Sequence, residues 1–122
     1  MTPTRRNDTL GLAKAAQGFA AAGSEPRLEV LRVLVRAGPD GLTVGEIQER
    51  VGQPASTLAH HLRCLATGGL IEQERRGRSV LNRAAHAHIE GLAAFLLHAC
   101  CAEAKPEQAR GALSAAYRKL TH

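Results

Sequence analysis

The stretch Gln53–Arg83, QPASTLAHHLRCLATGGLIEQERRGRSVLNR, decides how this chain folds. It reads as a short amphipathic helix, a double-glycine stop at Gly68-Gly69 and a basic hairpin. On a helical wheel of about 100° per residue, Leu62 and Leu65 fall within roughly 40° of Leu58, so these leucines anchor the helix to a core. Ser56, Ala59, His60 and Arg63 project from the opposite side, with Thr57 and Cys64 on a flank. Hydroxyl, imidazole and guanidinium groups can donate to phosphates and base edges. Arg63 suits guanine O6/N7 or a phosphate equally. Beyond the glycines, Leu70–Glu74 and Ser79–Arg83 are predicted to pair as strands across Arg75-Arg76-Gly77-Arg78. Helix followed by basic hairpin is the order of a winged helix-turn-helix DNA reader, with the helix in the major groove and the hairpin on the adjacent backbone. The candidate DNA contacts are therefore Ser56, Thr57, His60, Arg63, Arg75, Arg76 and Arg78.

The charge distribution points the same way. The chain carries a net +5 over 122 residues. Residues 1–49 are balanced, residues 50–83 hold six arginines against Glu72 and Glu74, and residues 84–122 are close to neutral. The basic excess thus sits on the reader segment, the footprint expected for a polyanion. Aromatic residues are confined to Phe19, Phe95 and Tyr117, too few to stack single-stranded bases. A content of 44% hydrophobic and 22% charged residues describes a single soluble domain spanning 1–122, rich in Leu and Ala and hence in helix. There is no membrane-length apolar run and no secretory pattern in MTPTRRNDTL, so a cytoplasmic location is expected. Three cysteines, two of them adjacent, make no disulfide framework.

Working outward, a first helix is predicted from near Asp8 to Ala22, with Leu12, Ala16, Phe19 and Ala20 near one face. Ser24 caps a second helix with Pro26 in its first turn, a stripe of Leu28, Leu31, Leu34 and Val35, and an end at Gly38-Pro39. Thr43 and Glu46 form a capping box for a short third helix that turns Ile47 and Val51 inward and closes at Gly52. The reader helix starts near Pro54 to Ser56. A fifth helix is expected from Ala87 to Cys101 and a last one from Pro106 to Leu120. The expected fold is mainly α, about six helices plus a two-stranded wing.

The set Ser56-Thr57-Leu58-Ala59-His60-His61-Leu62, Leu65, Gly69-Leu70-Ile71 and Arg75-Arg76-Gly77-Arg78 resembles the reader helix and wing of the ArsR/SmtB metalloregulatory repressors. Pro26-Arg27-Leu28 with Leu31 is similar to that family's second helix, and the resemblance spans roughly residues 8–103. Ala59, where the family often has Ser, and Leu81, where an aromatic is common, depart from the pattern. The resemblance implies a homodimer joined through the first and fifth helices, here the Ala-rich first helix and the stripe Ile89, Leu92, Ala93, Leu96. It also implies a double-stranded operator with an inverted repeat, read by two helices about 34 Å apart.

Cys100-Cys101 is the candidate sensor. Adjacent thiolates at a helix end can converge on one soft ion, which suits trivalent arsenic, antimony, Cu(I) or cadmium. Some arsenic sensors of the resembled family carry a similar pair, commonly with a third Cys that Ala102–His122 lacks. The family's cysteine box in the third helix is also missing, since Leu42–Glu46 contains no Cys. Two thiolates match methylarsenite, whose third position is occupied by carbon, better than arsenite. An alternative set, His86, His88 and His98 with Cys101 or Glu103, loosely resembles a dimer-bridging zinc or nickel site. Thiol oxidation of the pair is a third possibility. Cys64, on the reader helix, reads as an incidental half-buried thiol. No phosphate-loop, dinucleotide, nucleophile-elbow or zinc-protease motif occurs, so a regulator rather than an enzyme is expected.

Overall fold

The computed structural model of the chain describes residues 10–100, the side chains of 99 and 100 excepted. The elements run α1 (Leu12–Ala22), α2 (Glu25–Ala37), a 3-10 turn (Gly38–Asp40), β1 (Leu42–Thr43), α3 (Val44–Val51), α4 (Ala55–Thr67), β2 (Ile71–Arg76), β3 (Ser79–Ala84) and α5 (His86–Cys100). Five α-helices are therefore present among the described residues. The expected sixth, from Pro106, lies outside them.

Side-chain caps start α2 and α3. Ser24 Oγ accepts from the Arg27 amide at 3.5 Å and opens α2. At α3 the capping box closes in both directions: Thr43 Oγ1 accepts from Glu46 N, and Glu46 Oε1 accepts from Thr43 N at 2.9 Å. Such a cap contributes about 1 kcal/mol. It fixes where α3 begins, and so where the turn into α4 falls. α1 begins later than predicted, at Leu12, because Gly11 is extended; Asp8 lies outside the described residues.

The core gathers Val30, Leu31 and Leu34 of α2, Ile47 of α3, Leu58, Leu62 and Leu65 of α4, and Leu70 and Ile71 beyond it. The predicted stripe of α2 holds in part, and that of α1 faces elsewhere. On α2 the buried line is Val30, Leu31, Leu34, while Leu28 and Val35 stand on the exposed flank. On α1 the buried line is Ala15, Gly18 and Ala21, so Leu12, Ala16 and Ala20 point outward with Phe19 half-buried. Small residues turned inward let α1 approach its neighbours closely. A Cβ at Gly68 would lie 2.5 Å from Ala21 Cβ and 3.1 Å from Gln17 O, so α4 reaches α1 only because this position carries no side chain. Gly18 gives the same clearance to Leu92, which ties α5 to α1.

The sheet has three antiparallel strands in the order β1-β3-β2, not two. β1 pairs Leu42 with Asn82 and Thr43 with Leu81. Asn82 is fully buried and satisfied: Nδ2 donates to Leu42 O at 3.2 Å, and Oδ1 accepts from Gln73 Nε2 at 2.8 Å. One amide thereby staples both neighbouring strands to β3, as a buried polar group must. The hairpin is also longer than predicted. Arg76 pairs with Ser79, which leaves a two-residue turn, Gly77-Arg78. Gly77 at φ +60° takes the first central position of a type II′ turn, a conformation other residues reach only with strain. Arg75 and Arg76 are consequently strand residues rather than loop residues.

Candidate nucleic-acid interface

α4 separates its residues by chemistry. Leu58 and Leu65 are fully buried and Leu62 nearly so, and His61 joins them on the inner side. Ser56, Thr57, Ala59, His60 and Arg63 are all exposed, as the wheel predicts. Pro54 holds the N-cap position and supplies no side-chain cap, so Ser56 is not consumed there. The first turn of α4 keeps free N–H groups beside exposed hydroxyls, which favours an anionic partner. His61 has its basicity lowered by burial first, then by the Arg27 and His60 charges, and its Nδ1 has no hydrogen-bond partner. It is a core residue whose surroundings favour the neutral imidazole, whereas its neighbour His60 faces solvent.

The wing's arginines divide into two groups. Glu74 holds Arg83 at 2.6 Å and Arg76 at 3.3 Å, so one carboxylate serves two guanidiniums. Arg75 and Arg78 are exposed, and among the described residues no ion pair engages them or Arg63. Arg75 alternates to the strand face opposite Glu74 and Arg76. The cations available to a phosphate backbone are therefore Arg63, Arg75 and Arg78, with Arg76 already paired.

The sensor candidates are more dispersed. α5 ends at Cys100, and Cys101 lies outside the described residues. His86 and His98 are exposed, but 12 residues of helix separate them by about 18 Å, too far to share an ion within one protomer. The His88 ring lies against Gly69, and its Nε2 is buried without a partner. Among the described residues, no group of three His, Cys, Asp or Glu side chains converges to hold a metal.

Two features escaped the sequence. Arg27 reaches back from α2 to donate through Nε to Ala21 O at 2.7 Å and through Nη2 to Ala20 O at 3.3 Å, capping the end of α1. Cys64 Sγ lies 3.6 Å from His60 Nε2, one turn away on α4. The second was legible as an i, i+4 pair on a helix surface.

Residues 23–74 match a family described as a helix-turn-helix domain. The chain is 32% identical over 90 residues to the HTH-type transcriptional regulator NmtR of Mycobacterium tuberculosis, covering 74% of this chain and 72% of that protein. An ArsR-like transcriptional regulator from Rhodococcus sp. RHA1 superposes with a TM-score of 0.64 at 28% identity, over 88% of this chain and 92% of the other. At 22% identity and a TM-score of 0.58, the fold also matches a homodimeric winged helix-turn-helix DNA-binding domain of Mycobacterium bovis, over 86% of this chain and 98% of that one. No helix among the described residues is long and apolar enough to cross a membrane.

Proposed function

The chain belongs to the ArsR family of winged helix-turn-helix, DNA-binding transcriptional regulators, and from that premise we propose that it is a homodimeric repressor released from its operator by a thiophilic inducer. The observation that carries the reading is the division of α4: leucines buried on one side, and Ser56, Thr57, His60 and Arg63 exposed on the other. These four side chains meet the major groove. Arg75 and Arg78 grip the flanking phosphates, with Arg76 contributing once Glu74 releases it.

Dimerisation is supported by the apolar surface left on α1 and α5. Leu12 is 75% exposed and Leu96 47%, and Ala16 and Ala93 lie open beside them. A two-fold axis through this surface pairs each face with its own copy and sets two α4 helices on successive major grooves of an inverted repeat. The Mycobacterium bovis domain of the same fold is described as homodimeric.

The inducer reading rests on ligand chemistry. Cys100 and Cys101, adjacent in sequence, supply two soft thiolates, a match for trivalent arsenic and above all methylarsenite. Binding there would act on α5, and through its contact with α1 on the spacing of the reader helices. Zinc held by His86, His88 and His98 is the rival. The three do not meet within one protomer, so that site would require ligands from a second one.

Fluorescence anisotropy with an inverted-repeat duplex tests the whole reading. Affinity should fall steeply with salt as phosphate contacts release counterions. Methylarsenite should release the duplex at lower concentration than arsenite, and Cys100→Ser or Cys101→Ser should block release without weakening binding. A monomer that binds no duplex at low salt would overturn the repressor. Release that persists in the double Ser variant would move the sensor elsewhere.

A further inference from the structure

A second thiol site lies on the reader helix itself. An open groove of about 500 Å³ runs between α1 and α4, and most of its surface is apolar. Ala20, Ala21 and Gly68 form its apolar wall, while Arg27, Arg63, His60 and Cys64 line the rest. Cys64 is half-buried there, and His60 Nε2 stands 3.6 Å from its sulfur. Arg27 spends Nε and Nη2 on the end of α1, and Arg63 has no ion-pair partner among the described residues. The groove thus joins a nucleophile, an adjacent base, apolar standing room and two cations.

We propose that Cys64 is a modification site for small disulfides bearing carboxylates, and that the adduct switches off DNA binding. The inference rests on the regulator reading above. The chemistry balances without any further reagent. With the imidazole proton on Nδ1, His60 Nε2 accepts the proton from Cys64 Sγ. The thiolate attacks one sulfur of the small disulfide, whose S–S bond breaks as a Cys64 mixed disulfide forms. The departing thiolate recovers the proton from His60. Cys64 is oxidised and the released half of the reagent is reduced to a thiol. The carboxylates of the retained half settle against Arg27 and Arg63. Arg63 is also a candidate DNA contact, so the adduct occupies that donor and places negative charge where phosphate must come. An external thiol reverses the step.

The test uses the full chain and oxidised glutathione as the probe. Peptide mapping by mass spectrometry should find a mixed disulfide on Cys64, and duplex affinity should fall by about tenfold, the loss expected for one charge-assisted contact. Dithiothreitol should restore it. Cys64→Ser should bind the duplex as the parent does and lose none of that affinity on treatment, although Cys100 and Cys101 remain. An ordinary thiol is only a few per cent ionised at neutral pH, so His60→Gln should slow adduct formation at Cys64 by about tenfold relative to Cys100 in the same sample. Hydroxyethyl disulfide, which carries no carboxylate, should react more slowly at Cys64. No adduct at Cys64, or an adduct that leaves duplex affinity unchanged, overturns the proposal. Failure of the untreated protein to bind any duplex overturns the repressor reading instead, and the mass measurement still reports separately on the thiol.

Discussion

α4 and α5 are helices of similar length with opposite economies. α4 buries Leu58, Leu62 and Leu65 within its own chain and turns a polar face outward. α5 buries Leu92 against α1 but leaves Ala93 and Leu96 in the open. A helix that satisfies its apolar face internally is free to present chemistry to a different kind of molecule. A helix that leaves leucine outside has apolar surface to offer another protein. On the reading proposed above, the difference gives DNA to one helix and a second copy of the chain to the other.

Removing a leucine from each helix breaks the comparison most directly. Leu58→Ala should cost about 2–5 kcal/mol of folding stability in urea titrations, because it opens a cavity in the core. Leu96→Asp should cost the fold less than about 0.5 kcal/mol, yet shift sedimentation from dimer to monomer and take operator binding with it. If both variants lose stability alike, α5 belongs to the core and the dimer surface is elsewhere. Next in size are the α4 and wing arginines. Arg63→Ala should lose about 1–3 kcal/mol and relax sequence preference, whereas Arg78→Ala should weaken all duplexes equally and lower the salt slope by about one. A uniform loss from Arg63→Ala would make it a phosphate contact too.

His60 and His61 repeat the contrast between outside and inside within one helix. Because the folded state holds the His61 imidazole below its ordinary value of 6.5, the unfolded chain takes up the proton first. Stability should therefore be complete above about pH 6.5 and decline as pH falls below it. Urea midpoints measured from about pH 7.5 down to 5.5 should show this decline, and His61→Gln should flatten it. The smallest expected effect is at Glu74. Glu74→Gln frees Arg76 and Arg83, so duplex affinity should rise, by less than about 1 kcal/mol since the shared carboxylate is exposed and Arg83 is half-buried. An unchanged affinity would mean that these arginines do not reach the backbone.

What could be read from the sequence follows from how local each signal is. The Thr43–Glu46 box and the three leucines of α4 are short-range patterns, and both stand in the structure as predicted. β1 is only two residues long and exists because Asn82, forty positions away, bonds Leu42; no periodicity could show it. The wing's register slipped because β2 is exposed at every residue after Ile71, which leaves no alternation to mark its end. On α1 the predicted line holds Leu12 and Phe19, yet Ala15, Gly18 and Ala21 turn inward, because small residues let the backbones come close. On α2 Leu31 and Leu34 of the predicted line are buried, and Val30 joins them in place of Leu28 and Val35. Which α4 side chains face outward was therefore legible residue by residue. The thiol groove was not, because it depends on how α1 lies across α4.

That crossing has a mechanical meaning. At Gly68 the two helices leave no room for a side chain, since a Cβ there would meet Ala21 Cβ at 2.5 Å, so α1 cannot slide closer over α4. The contact acts as a fulcrum near one end of a rod. Ser56, at the other end, is 12 residues away, a lever arm of about 18 Å. Tilting the rod by about 5° on that pivot would carry Ser56 some 1.5 Å, about half the length of a hydrogen bond. A barely visible tilt of α4 on α1 is thus magnified to the distance that separates making a base contact from missing it.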